Sequence, residues 1–106
     1  MKNTFLYAGP ALLFMVALAL RPDDLMLAQL GHVAVGMFLF SALEDIAIHF
    51  HLMPALLTVA AAGVLHAVYV GAMVGAVGFV AGMVVLAMVM GIGMWRLSRC
   101  ELPELT

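Results

Sequence analysis

Glu44, Asp45, His49 and His51 crowd into one short stretch of an otherwise apolar chain. Asp45 and His49 are four residues apart, so a helix sets them on one face. Glu44 and His51 are seven apart and share a second face if the helix continues that far. Carboxylate oxygens and imidazole nitrogens suit a divalent cation. A histidine beside a carboxylate also suits a proton relay. The plainer reading is structural: Glu44 and Asp45 pair with Arg96, Arg99 or the histidines and join helix ends. Adjacent carboxylates without a nucleophile or a metal-hydrolase motif do not indicate hydrolysis.

His32 and His66 form a second set. His32 lies seven residues into the second apolar segment, and His66 lies twelve residues after Pro54 in the third. If these segments are antiparallel helices, both histidines sit roughly 10–12 Å below the same surface, at about 1.5 Å of rise per residue. Two facing imidazoles are the axial ligand set of a b-type haem. They also suit a metal ion, or a hydrogen bond to each other and to a carbonyl. His32 and the Glu44/Asp45 pair are expected to be separate sites. They differ in depth by nearly 20 Å along one helix and are expected on roughly opposite faces. A wire between them would draw on Ser41 and Thr58 at best.

No other chemistry has a complete set of residues. The single cysteine, Cys100, offers no disulfide and no thiol metal set. It sits three residues before Pro103, where a Cys–His catalytic pair is a poor expectation. The ten methionines raise copper, since thioethers favour Cu(I). Met83, Met88, Met90 and Met94 nevertheless form no one-sided cluster, and methionine is an ordinary apolar filler. With no nucleophile–base pair and no phosphate loop, the chain is expected not to be an enzyme.

These residues are carried by 106 residues that are 67% hydrophobic and only 9% charged, with a mean hydropathy of +1.22. Soluble domains run nearer half apolar and a quarter charged, and a chain this short has little interior to hide the excess. The expectation is a single transmembrane domain, 1–106. A formal net charge of −2 with four basic residues excludes a nucleic-acid footprint and a polybasic lipid-binding tail.

Four apolar segments follow. The first helix is expected over 4–20, about 25 Å and marginal for a hydrocarbon core near 30 Å. Arg21-Pro22-Asp23-Asp24 ends it and caps the next, expected over 25–50. Residues 55–94 then run without a charged side chain, roughly 60 Å as one helix, so they must fold back. The break is expected within 70–78, where Gly71, Gly75 and Gly78 cluster. This predicts helices over 54–73 and 76–97 and a polar C-terminal tail over 98–106. A rival reading of the N-terminus is a cleaved signal peptide, with Lys2, an apolar run and Ala17-Leu18-Ala19.

The expected fold is therefore all-α, a polytopic four-helix transmembrane bundle with both termini on one side. Lys2, Arg96 and Arg99 collect on that side against Arg21 on the other. This favours cytoplasmic termini in a cytoplasmic (inner) membrane. Trp95, Arg96 and Arg99 are interface anchors. Gly71 and Gly75 are assigned to the turn, and Gly78, Gly82, Ala87 and Gly91 to a small-residue packing face. The leading functional expectation is a non-catalytic helix-packing accessory subunit, or an oligomer of this chain in the bilayer. The alternative is a small proton or divalent-cation transporter or channel using Glu44, Asp45, His49 and His51. A third is a haem-binding anchor using His32 and His66.

Overall fold

A computed structural model describes residues 2–99, with side chains from Thr4 onward. Four helices follow one another: α1 (Lys2–Leu20), α2 (Leu25–His49), α3 (Leu52–Val74) and α4 (Ala76–Arg99). The expected helices are present, each displaced by no more than two residues at either end. Cys100 and the rest of the C-terminal tail lie outside the described residues. Among these helices, α2, α3 and α4 are long and apolar enough to cross a membrane, while the apolar part of α1, Thr4–Leu20, is shorter. The described residues are thus all-helical, with three helices long and apolar enough to span a membrane.

Each connection has a local cause. After α1, the Arg21 N–H still reaches the Ala17 carbonyl at 3.0 Å, and Pro22 then prevents the helix from continuing. Asp24 takes an extended conformation, and its carboxylate accepts from the Leu27 N–H at 3.2 Å, which caps α2. The α2–α3 turn closes with the Phe50 N–H on the Ile46 carbonyl at 2.8 Å. The long apolar hairpin breaks at one glycine. Gly75 has φ +94° and ψ −168°, a region essentially closed to residues with a Cβ. Its N–H still bonds the Gly71 carbonyl at 2.9 Å, so the last turn of α3 is satisfied before the chain reverses.

α2 is the central element, packed against α1, α3 and α4, and α3 and α4 form the closest hairpin. Leu43 and Val59 are fully buried where α2 meets α3, with Leu86, Val89 and Leu97 of α4 closing the same core. Leu18, Ala28 and Val70 form a smaller cluster at the other end. Outward positions carry Leu13, Leu30, Leu65 and Val84, all exposed. In lipid, apolar surface of this kind gains no hydrophobic free energy by packing against another helix, so cohesion must come from close packing.

Small residues provide it, but not all of those expected. In α4 the buried positions are Gly78, Gly82, Leu86, Val89, Gly93 and Leu97, at spacings of three and four. Ala87 follows Leu86 directly, and one residue of helix rotates it about 100° out of this stripe. Ala87 and Gly91 are exposed, and nothing lies within 4 Å of a Cβ placed at Gly91. The packing face therefore includes Gly78 and Gly82 but excludes Ala87 and Gly91. Gly71 is also reassigned: it lies inside α3, where a Cβ would come within 2.9 Å of the Phe79 Cβ on α4. Further close approaches are Gly36 on Val85, Gly63 on Leu86, Gly78 on Val70 and Val74, and Gly93 on Leu43.

Candidate functional site

The two deep histidines meet. His32 on α2 and His66 on α3 lie with ring centroids 5.4 Å apart and an interplanar angle of 83°, an edge-to-face contact. His32 is only 2% exposed and His66 8%. α4 makes room for them: a Cβ at Gly82 would stand 3.1 Å from the His32 Cε1 and 3.0 Å from the Ala67 Cα. Gly82 therefore seats an imidazole against the α4 backbone as well as packing two helices. Both ring nitrogens of His32 are buried and make no hydrogen bond among the described residues. Buried polar atoms in native structures are almost always bonded, so this one calls for a cause.

The pair does not have the geometry of a haem site. Axial ligation needs both nitrogens aimed at one iron from opposite sides, with a flat macrocycle between the rings. Here the rings touch each other directly, and Gly82 closes against His32. The haem reading of His32 and His66 is therefore set aside.

The carboxylate group does not act as one cluster. Glu44 turns toward α4, where its carboxylate lies 3.6 Å from the Arg96 guanidinium. Arg96 also covers the Phe40 ring at 5.5 Å. Asp45 turns the other way, toward α1, and accepts from the Thr4 hydroxyl. Thr4 in turn lies 3.1 Å from the Ser41 hydroxyl. His49 is exposed and its Nδ1 lies 2.9 Å from the Asp45 carbonyl, one turn back on its own helix. His51 is the exposed N-terminal flank of α3 and makes no side-chain capping bond there. Consecutive positions on a helix point about 100° apart, which sends Glu44 and Asp45 to different neighbours. Among the described residues, no three His, Cys, Asp or Glu side chains come together as metal ligands. The expected four-residue cation site is thus divided between two helix junctions.

One expectation from the sequence, that His32 and Glu44 face roughly opposite ways, is not met. His32 and Glu44 line the same cleft, of about 630 Å³, between α2 and α4. Glu44 and Arg96 stand at its one end and His32 at the other. Ser41 and, from α1, Tyr7 lie on its wall, and Met88 of α4 borders it. Ser41 is therefore in the position a wire would need, whereas Thr58 is exposed on the outside of α3. On the far side of the pair, His66 lines a second cavity of about 400 Å³ among α1, α2 and α3, together with Tyr69 and Met15. The Tyr69 hydroxyl donates to the Met15 carbonyl and ties α3 to α1. Tyr7, Thr4 and Tyr69 were not among the expected polar residues of the site. Thr4 and Tyr69 join positions far apart in the chain, and Tyr7 of α1 reaches a cleft between α2 and α4, which no local spacing announces.

Trp95 and Arg99 extend from the end of α4, with the Arg99 guanidinium 5.0 Å from the indole ring centre. Trp95 is exposed. The class defined by these features is a small all-helical protein with spans of membrane length and a buried histidine pair. No family model, curated protein or solved structure matches the chain.

Proposed function

We propose that this is a non-catalytic integral membrane protein whose main work is helix packing, as an accessory subunit of a membrane assembly or as an oligomer of itself. The observation that carries this reading is the use made of the polar residues near one end of the bundle. Thr4 of α1 binds Asp45 and Ser41 of α2, and Arg96 of α4 binds Glu44 of α2, so these side chains join helices, while His49 bonds within its own helix. Such polar contacts hold helices together in a medium with no hydrophobic drive between them. In this reading α1 is a fourth span. Its 17 apolar residues from Thr4 to Leu20 reach about 25 Å, which a bilayer thins slightly to accept. Lys2, Arg96 and Arg99 then face the cytoplasm in an inner membrane.

Ala87 and Gly91 support a partner helix. They are four residues apart and turned away from the chain's own bundle, where small residues let another backbone approach closely. Native mass spectrometry of the protein gently extracted from its own membrane tests the proposal. A hetero-complex or a homo-oligomer is expected, and Gly91→Leu should dissociate it. A strictly monomeric mass under mild extraction would sink the packing role. Proton or cation movement is the second reading, favoured by the unbonded His32 ring at the end of a cleft.

A further inference from the structure

We infer that the His32–His66 pair is an intramembrane proton-binding site, loaded from the Glu44–Arg96 end through the cleft between α2 and α4. The inference is independent of the packing role, and it supplies the second reading with its site.

Three separate observations converge on it. First, His32 is an ionisable side chain almost wholly buried within a span, which is costly and marks function by default. Neither nitrogen makes a well-formed hydrogen bond among the described residues, and the Gly78 backbone of α4 is the polar group within reach of the ring. Neutral imidazole has one N–H and one lone pair. The lone pair is therefore free to take a proton without displacing an existing bond. Second, the neighbour in ring contact is another imidazole. A proton added to His32 can be shared with or passed to His66, and the positive charge is then spread over two rings. Third, the cleft connects His32 to the end of the bundle where Glu44 and Arg96 stand.

The surroundings favour a proton over other cations. From α1 the cleft receives Tyr7, and from α4 Arg96 at the mouth. α2 contributes Glu44 at the mouth, while its Asp45 faces α1. α3 contributes His66 and, beyond it, Tyr69, whose hydroxyl is committed to the Met15 carbonyl. No carboxylate stands beside the pair to help coordinate a metal ion, and no three-donor group forms among the described residues. A proton needs only one lone pair. The step is a simple addition: a proton leaves water at the Glu44–Arg96 mouth, crosses by way of the Ser41 region and adds to a His32 ring nitrogen. The ring then carries two N–H groups, and a proton on the side facing His66 can pass to the His66 lone pair. No bond to carbon changes, and nothing is oxidised or reduced.

Nitrogen NMR of histidine-labelled protein in lipid bilayers is the direct test. Replacing the two exposed histidines, as His49→Asn with His51→Asn, leaves only the buried pair in the spectrum. The expected result is conversion of the pair from the neutral to the imidazolium pattern as pH falls from 8 to 4. After a pH jump, Met88→Trp, which fills the cleft from its exposed wall, should slow that conversion at least tenfold. A pair that stays neutral to pH 4 in helical, bilayer-inserted protein overturns the site. Conversion in Met88→Trp at the unmodified rate overturns the route. Because the readout is protonation and not flux, a protein that binds protons without conducting them still gives the expected spectrum.

Discussion

At the scale of single residues, glycine and histidine explain one another here. His32 is buried against α4 because Gly82 presents no side chain to it, and Ala67 meets the same glycine from α3. A methyl group at this point has nowhere to go, since one of its neighbours is the Ala67 backbone at 3.0 Å. Gly82→Ala should therefore destabilise the bundle by about 1–3 kcal/mol, the usual cost of overpacking. Gly91→Ala, into open space on the same helix, should leave stability within about 0.5 kcal/mol. Unfolding by dodecyl sulfate, followed by circular dichroism, measures both. Equal gains at the two sites, the direction in which replacing glycine by alanine acts through helix propensity, would show that the approach of α2 and α3 does not constrain Gly82. The same contrast separates the seat of the histidine pair from a surface open to a partner.

Among the elements, α1 is the one whose place depends most on polar contacts. It packs chiefly on α2, and its inner side offers few large side chains to the main core, where Ala11 is its fully buried contribution. Two hydrogen-bonded junctions hold its ends. Thr4 binds Asp45 and Ser41 at one, and the Met15 carbonyl receives Tyr69 toward the other. Hydrogen bonds between membrane helices average about 0.6 kcal/mol and reach about 1.7. Thr4→Val keeps the shape and removes the donor, so it should cost about 1 kcal/mol and loosen α1 selectively. Amide exchange in α1 should then quicken while α2, α3 and α4 keep their protection. Uniform loosening of all four helices would show that α1 is part of one cooperative core instead. By contrast, the Arg96–Glu44 pair is half-exposed on the arginine side and adds little to stability by itself. Its position at the mouth of the cleft gives it more to do there.

For the whole molecule, the bilayer decides the layout. Three spans of full length and a shorter α1 leave two arrangements, with α1 crossing or with α1 lying at one side. The basic residues favour crossing, with both termini in the cytoplasm. Fusions at each end to a reporter active only in the cytoplasm should both be active. An active C-terminal fusion beside an inactive N-terminal one would leave three spans and remove α1 from the membrane. The layout also sets what the polar cleft is for. Its mouth belongs to the end of the bundle where α4 terminates, and its inner end belongs to the histidines near the middle. The two are linked only when α2 and α4 lie side by side.

Composition and spacing alone were enough for the helices, because hydrocarbon imposes a length and forbids charge, and each run of apolar residues records both. The reversal near Gly75 was legible within a few residues for the same reason: forty charge-free residues cannot cross once. The common depth of His32 and His66 was also legible, since rise per residue along antiparallel helices is a matter of counting. What counting along the chain left open was direction around each helix axis. Rotation sent Ala87 and Gly91 outward, parted Glu44 from Asp45, and turned His32 into the cleft that Glu44 also lines. In lipid the outer and inner faces are both apolar, so no amphipathic stripe marks which side of a helix is inside. Depth was therefore written in the order of residues, while the joining of the two histidines to the cleft awaited the packing of α2 against α3 and α4.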